Sequence, residues 1–81
     1  MIITREYVGK HLSEDRLFQY YMVKRDAFYG IELVEGSATE NISTIEWFSE
    51  NREKTLALVQ LLCLHGASPI HLSEIIDNYV E

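Results

Sequence analysis

The chain has little cysteine, proline or glycine, and each shortage excludes something. A single cysteine, Cys63, leaves no internal disulfide, so the fold must hold without oxidation and suits a reducing cytoplasm. No apolar run approaches the roughly eighteen residues of a membrane helix. The opening Met1-Ile2-Ile3-Thr4-Arg5-Glu6 lacks the apolar stretch of a secretory signal. The four glycines (Gly9, Gly30, Gly36, Gly66) are scattered and form no phosphate loop. Basic residues are scarce after the first third. Residues 31–81 hold only Arg52 and Lys54 against nine acids, whereas residues 1–30 hold five basic residues against four acids. The net charge of −6 therefore resides in the C-terminal part. Phosphate contacts dominate nucleic-acid affinity, so that part is a poor surface for DNA or RNA. Its acidity suits solubility or docking to a basic partner.

What is present is a globular composition. Hydrophobic residues make up 47% and there are nine aromatics, which excludes intrinsic disorder. Eighty-one residues allow one core, with nearly all apolar side chains committed to it. A single domain over 1–81 is expected, divided into a sheet region (1–48) and a helical hairpin (49–81).

The first half is rich in β-branched and aromatic residues. Strands are expected at 2–11, 17–24 and 28–35, with turns at Ser13-Glu14-Asp15 and Arg25-Asp26. Closing the second hairpin on Arg25-Asp26 pairs Phe18 with Leu33, Tyr20 with Ile31 and Met22 with Tyr29, all on one face. The other face carries Leu17, Gln19, Tyr21 and Val23 against Val34, Glu32, Gly30 and Phe28. In the first hairpin Tyr7 falls opposite Met22 and Gly9 opposite Tyr20, where glycine relieves the ring or marks a bulge. After a loop at 36–41, residues 42–48 alternate as a fourth strand with Ile45 and Trp47 on one side.

The second half is rich in leucine and isoleucine. Ser49 is placed to cap a helix that runs through Leu56–Leu64 and stops at Gly66. Its apolar stripe is too wide for one sheet face. Ser68-Pro69 then opens a second helix with a stripe of Leu72, Ile75, Ile76, Tyr79 and Val80. The order β-β-β-β-α-α gives an α+β class: an antiparallel three- to four-stranded sheet with a two-helix hairpin packed on one face. Tyr20, Ile31, Leu33, Leu62 and Ile76 are the expected core.

The hairpin Tyr20-Tyr21 to Tyr29-Gly30-Ile31-Glu32, the leucine-rich helix and the segment Ser68-Pro69-Ile70-His71-Leu72 form a pattern. It resembles a small uncharacterised domain family of Gram-positive bacteria. The resemblance implies the same architecture and a bacterial cytosolic setting, and brings no assigned activity.

Candidate chemistry is thin. Cys63 and His65 lie two apart on a helix, where side chains do not converge, and adding His71 or His11 yields no known zinc spacing. Cys63–His65 and Ser68–His71 lack the third group that orients a nucleophile's base. The helical hairpin invites a helix-turn-helix reading, but no lysine or arginine follows Lys54 to contact phosphates. No catalytic residue, metal or cofactor is expected.

The expected function is a small cytosolic, non-catalytic protein-interaction module suited to a regulatory role. The alternatives are an acidic nucleic-acid mimic that inhibits a DNA-binding protein, and a small-molecule-binding domain. The expected interaction surface comprises Leu17, Tyr21, Val23, Phe28 and Val34 on the second sheet face, with Leu58 and Leu61 on the first helix. The partner is a protein, either a second copy in a two-fold homodimer or a different chain, with no direct nucleic-acid or membrane contact.

Overall fold

The computed structural model describes residues 2–37, 39–66 and 74–77. Four strands form one antiparallel sheet in sequence order: β1 (Ile3–Ser13), β2 (Arg16–Arg25), β3 (Phe28–Gly36) and β4 (Asn41–Ser49). One helix follows, α1 (Arg52–His65), and residues 74–77 are helical. The class is α+β. Most of the expected second helix, including Ser68, Pro69, Leu72, Tyr79 and Val80, lies outside the described residues.

Both tight hairpins close on two-residue loops, Glu14-Asp15 and Asp26-Ala27. The first residue of each loop takes a left-handed conformation, Glu14 at φ 53 and Asp26 at φ 57. Asp26 tolerates that region better than most residues, which fixes the second loop there and not at Arg25-Asp26. The register of β2 on β3 consequently differs from expectation by two residues. Tyr20 faces Leu33, Met22 faces Ile31 and Phe18 faces Glu35. A two-residue slip preserves side-chain parity, so each residue keeps its expected face.

The first hairpin has a bulge at Val8. Gly9 lies opposite Tyr20 as expected, but beyond the bulge Tyr7 pairs with Tyr21, not Met22. The extra residue moves Tyr7 to the other face. A second irregularity, between Tyr29 and Gly30, lets Trp47 pair with Gly30 and Ser49 with Tyr29.

Helix α1 begins two residues later than expected. Its N-cap is Asn51, whose Oδ1 accepts from the Lys54 N–H at 2.9 Å, while the Thr55 hydroxyl donates to the Asn51 carbonyl at 2.8 Å. Ser49 instead ends β4, and its Oγ accepts from the Asn51 N–H. Gly66 closes the helix at φ 65, its N–H reaching the Cys63 carbonyl, as expected of a left-handed cap.

Thr55, Leu58, Val59 and Leu62 are the buried positions of α1, a spacing that aims one stripe at the sheet. Leu58, Val59 and Leu62 pack with Phe18, Tyr20, Met22, Ile31, Leu33 and Phe48. Ile76 joins the same cluster, so all five expected core residues are buried. Leu58 is fully enclosed there, which removes it from any surface; the stripe is narrower than expected because Leu61 and Leu64 stay exposed.

Candidate functional site

The sheet has two chemically different faces. The face under α1 is the core. The face turned away from it, called the outer face below, is built from cross-strand rows. One row is Arg5–Val23–Gly30–Trp47, the next Tyr7–Tyr21–Glu32–Ile45 and the third Lys10–Gln19–Val34–Ser43. Leu12, Leu17, Gly36 and Asn41 close one end, and Ile3, Arg25 and Phe28 the other.

Gly30 lets the indole lie down. A Cβ on Gly30 would stand 2.8 Å from Trp47 Cε3 and 2.7 Å from the Glu46 carbonyl oxygen, so no side chain fits between β3 and the ring. The guanidinium of Arg25 stacks over the Trp47 ring at 4.6 Å, and that of Arg5 over Tyr21 at 4.1 Å. Tyr7 meets Tyr21 edge to face with centroids 5.5 Å apart. Val23, between Arg5 and Gly30 in its row, is wholly buried although α1 packs on the opposite face.

At the centre sits a carboxylate. Glu32 is only 7% exposed. Arg5 Nε donates to its Oε1 at 2.6 Å, and the Ser43 hydroxyl donates to its Oε2. A charge so enclosed needs both partners, since desolvation of an unpaired carboxylate costs several kcal/mol. Glu32 is therefore engaged in holding the face together.

The structure brings Leu17, Tyr21, Val23, Phe28 and Val34 onto this one face, but it encloses Val23. Leu61, 43% exposed, belongs to α1 on the opposite side of the sheet and is not part of the same surface. Sequence reasoning missed Arg5, Tyr7, Lys10 and the stacking of Arg25 on Trp47. The signal for Tyr7 was Gly9: once a bulge is placed beside it, the parity of β1 reverses.

Elsewhere the groups are dispersed. Cys63 Sγ donates to the Lys10 carbonyl at 3.6 Å, and burial pushes its thiol pKa up, which lowers the thiolate fraction. His11 packs its ring against Gly66, and His65 is exposed at the helix end; His71 lies outside the described residues. Among the described residues no three His, Cys, Asp or Glu side chains converge as metal ligands. A shallow cleft of about 230 Å³ on the helix side is lined in part by Lys24, Tyr29 and Arg52, the last already paired with Glu6 at 2.9 Å. Among the described residues no helix is long and apolar enough to cross a membrane.

The chain belongs to a family of unknown function, DUF6514, which matches residues 1–81. No curated protein and no solved structure matches it. The family brings no activity to this chain, so any functional reading rests on the outer face itself.

Proposed function

We propose that the protein is a non-catalytic protein-interaction module of the bacterial cytoplasm and that the outer sheet face is its working surface. The observation that carries this reading is the make-up of that face. Four aromatic residues, Tyr7, Tyr21, Phe28 and Trp47, and two arginines share this face, with Arg5 and Tyr7 on Tyr21 and Arg25 on Trp47, and with Ile3, Leu12 and Ile45 exposed beside them. Tyrosine, tryptophan, phenylalanine and arginine are the residue types enriched at the centres of protein interfaces. Rings and guanidinium groups already stacked on one another lose little side-chain entropy when a partner arrives. The buried carboxylate of Glu32 is occupied with Arg5 and Ser43, and the Cys63 thiol is held mostly protonated, so neither is poised as a base or nucleophile. Lone Cys63 fits a reducing compartment.

The test is position-dependent cross-linking in the native cell. A photo-reactive amino acid at Tyr7 or at Phe28 should capture a common protein partner. The same group at Leu64, exposed on α1 away from the sheet, should not. Equal capture from all three positions would move the interface off the outer face.

A further inference from the structure

Resting on that reading, we infer that the outer face takes an acidic segment of another protein. The chain carries a net charge of −6, yet this face is basic. Its cations are Arg5, Lys10 and Arg25; its one carboxylate among the described strand residues is Glu32, already neutralised by Arg5. The other strand charges, Glu6, Arg16, Lys24, Glu35 and Glu46, fall on the helix side, where Arg16 pairs with Glu35 and Glu6 with Arg52. Glu14, Asp15 and Asp26 sit in turns at the ends of the sheet. Arg5 keeps half its side chain exposed while bound to Glu32, so its remaining guanidinium nitrogens are free to meet an incoming carboxylate.

Two further observations narrow the occupant. Two copies meeting through this face would oppose basic surfaces, which disfavours the face-to-face homodimer. The face is also small. Strands of nine to eleven residues at about 3.3 Å per residue, four of them about 4.8 Å apart, give a flat footprint of roughly 600 Å². A helix about 10 Å across lying along the strands covers the middle of such a footprint, so a single segment is enough to occupy it. The exposed aliphatic residues Ile3, Leu12 and Ile45 favour apolar side chains on that segment over the bases of a single-stranded nucleic acid.

Three probes test this on the full chain. One is a peptide of roughly twenty residues, enough to span the face as a helix, with leucine and phenylalanine on one side and glutamate elsewhere. The second replaces its glutamates by lysine, and the third is single-stranded oligothymidylate. Binding is read from Trp47 fluorescence and from amide chemical shifts. The acidic peptide should shift residues around Arg5, Lys10 and Arg25, and its affinity should fall on the order of tenfold in Lys10→Glu. Arg25→Gln should weaken it less, and amide dispersion establishes that both variants are folded. Equal binding of the lysine peptide at the same face would overturn the acidic preference while leaving the module reading intact. Preferential binding of the oligonucleotide would overturn both. Self-association through this face in sedimentation at high micromolar concentration, or no response of the face to any probe, would overturn the acidic occupant; cross-linking from Tyr7 and Phe28 decides the module reading separately.

Discussion

Gly9→Ala separates two explanations of why a glycine stands in the middle of β1. Gly9 faces Tyr20 across the ladder, and relief of that ring or a bulge were the readings available from sequence. The structure gives a different cause. A Cβ on Gly9 would stand 2.8 Å from Cys63 Sγ, well inside the 3.4 Å at which ordinary contact begins. Either β1 and α1 move apart, or the thiol rotates and gives up its hydrogen bond to the Lys10 carbonyl. Overpacking of this kind costs about 1–3 kcal/mol. Gly9 does not lie in the left-handed region, so alanine also restricts the unfolded chain and returns about 0.4–1 kcal/mol. The net expectation is a loss of about 1 kcal/mol. In a Cys63→Ala background the sulfur is gone and the next atom is the Cβ at 4.0 Å, an ordinary contact. There the same substitution should be neutral or stabilising by up to about 1 kcal/mol. Urea unfolding of the four proteins, followed by Trp47 fluorescence and far-ultraviolet circular dichroism, yields the coupling directly. It should come to about 1–2 kcal/mol, within the range of residues in direct contact. A Gly9→Ala penalty equal in both backgrounds to within about 0.3 kcal/mol would refute the thiol contact and return the explanation to Tyr20.

Gly30→Ala should be worse than Gly9→Ala, by about 2 kcal/mol or more, because one of its clashes is with a backbone carbonyl that cannot rotate away; a near-neutral result, with Trp47 emission unshifted, would mean the indole does not lie across Gly30. Leu62→Ala should cost about 2–5 kcal/mol in urea unfolding, since the side chain is enclosed between α1 and the sheet; a change within error would show that α1 presents another stripe. Burial, with Cys63 nearby, pushes the Tyr20 phenol from 10.0 up to about 12. An unfolded tyrosine ionises near pH 10, so this contribution is complete below pH 10 and is lost as the pH rises towards 12, amounting to about 1 kcal/mol at pH 11. Between pH 9 and pH 11 the Tyr20→Phe variant should lose less stability than the wild type by that amount, and identical losses would place the phenol in water.

The parts of the fold that follow from local parity could be read from sequence. Alternation alone assigned Phe18, Tyr20, Met22, Ile31 and Leu33 to one face, and a two-residue error in register left that assignment untouched. Leu62 and Gly66 followed from helix periodicity and the left-handed cap. Features that depend on an odd number of residues could not be fixed in this way. The bulge at Val8 reverses Tyr7, and the irregularity beside Gly30 carries β4 on to Ser49, so that Asn51 and not Ser49 caps α1. Both polar residues suit a cap, and only the length of the preceding strand decides between them. The outer face was legible as a list of apolar residues but not as a layer, because the stacking of Arg5 on Tyr21 and of Arg25 on Trp47 joins different strands. Val23 shows the consequence: exposed by parity, it is wholly buried in the fold.

Charge follows the same logic. Along the chain it divides by halves, with the acids concentrated after residue 30. In the fold it divides by sides, because period-two alternation sends Arg5 and Glu6, or Lys24 and Arg25, to opposite faces. An approaching partner responds to the second arrangement. At physiological ionic strength charges are screened over about 8 Å, and a helix packed on a sheet places its far carboxylates at least that distance from the outer surface. The acids on the helix side, Glu6, Glu35, Glu46 and Glu53, then contribute little where contact is made, while Lys10, Arg25 and the part of the Arg5 guanidinium not engaged by Glu32 face the partner. A chain that is acidic overall thus offers a basic binding face, and the residues that make it so are strand residues whose neighbours in sequence point the other way.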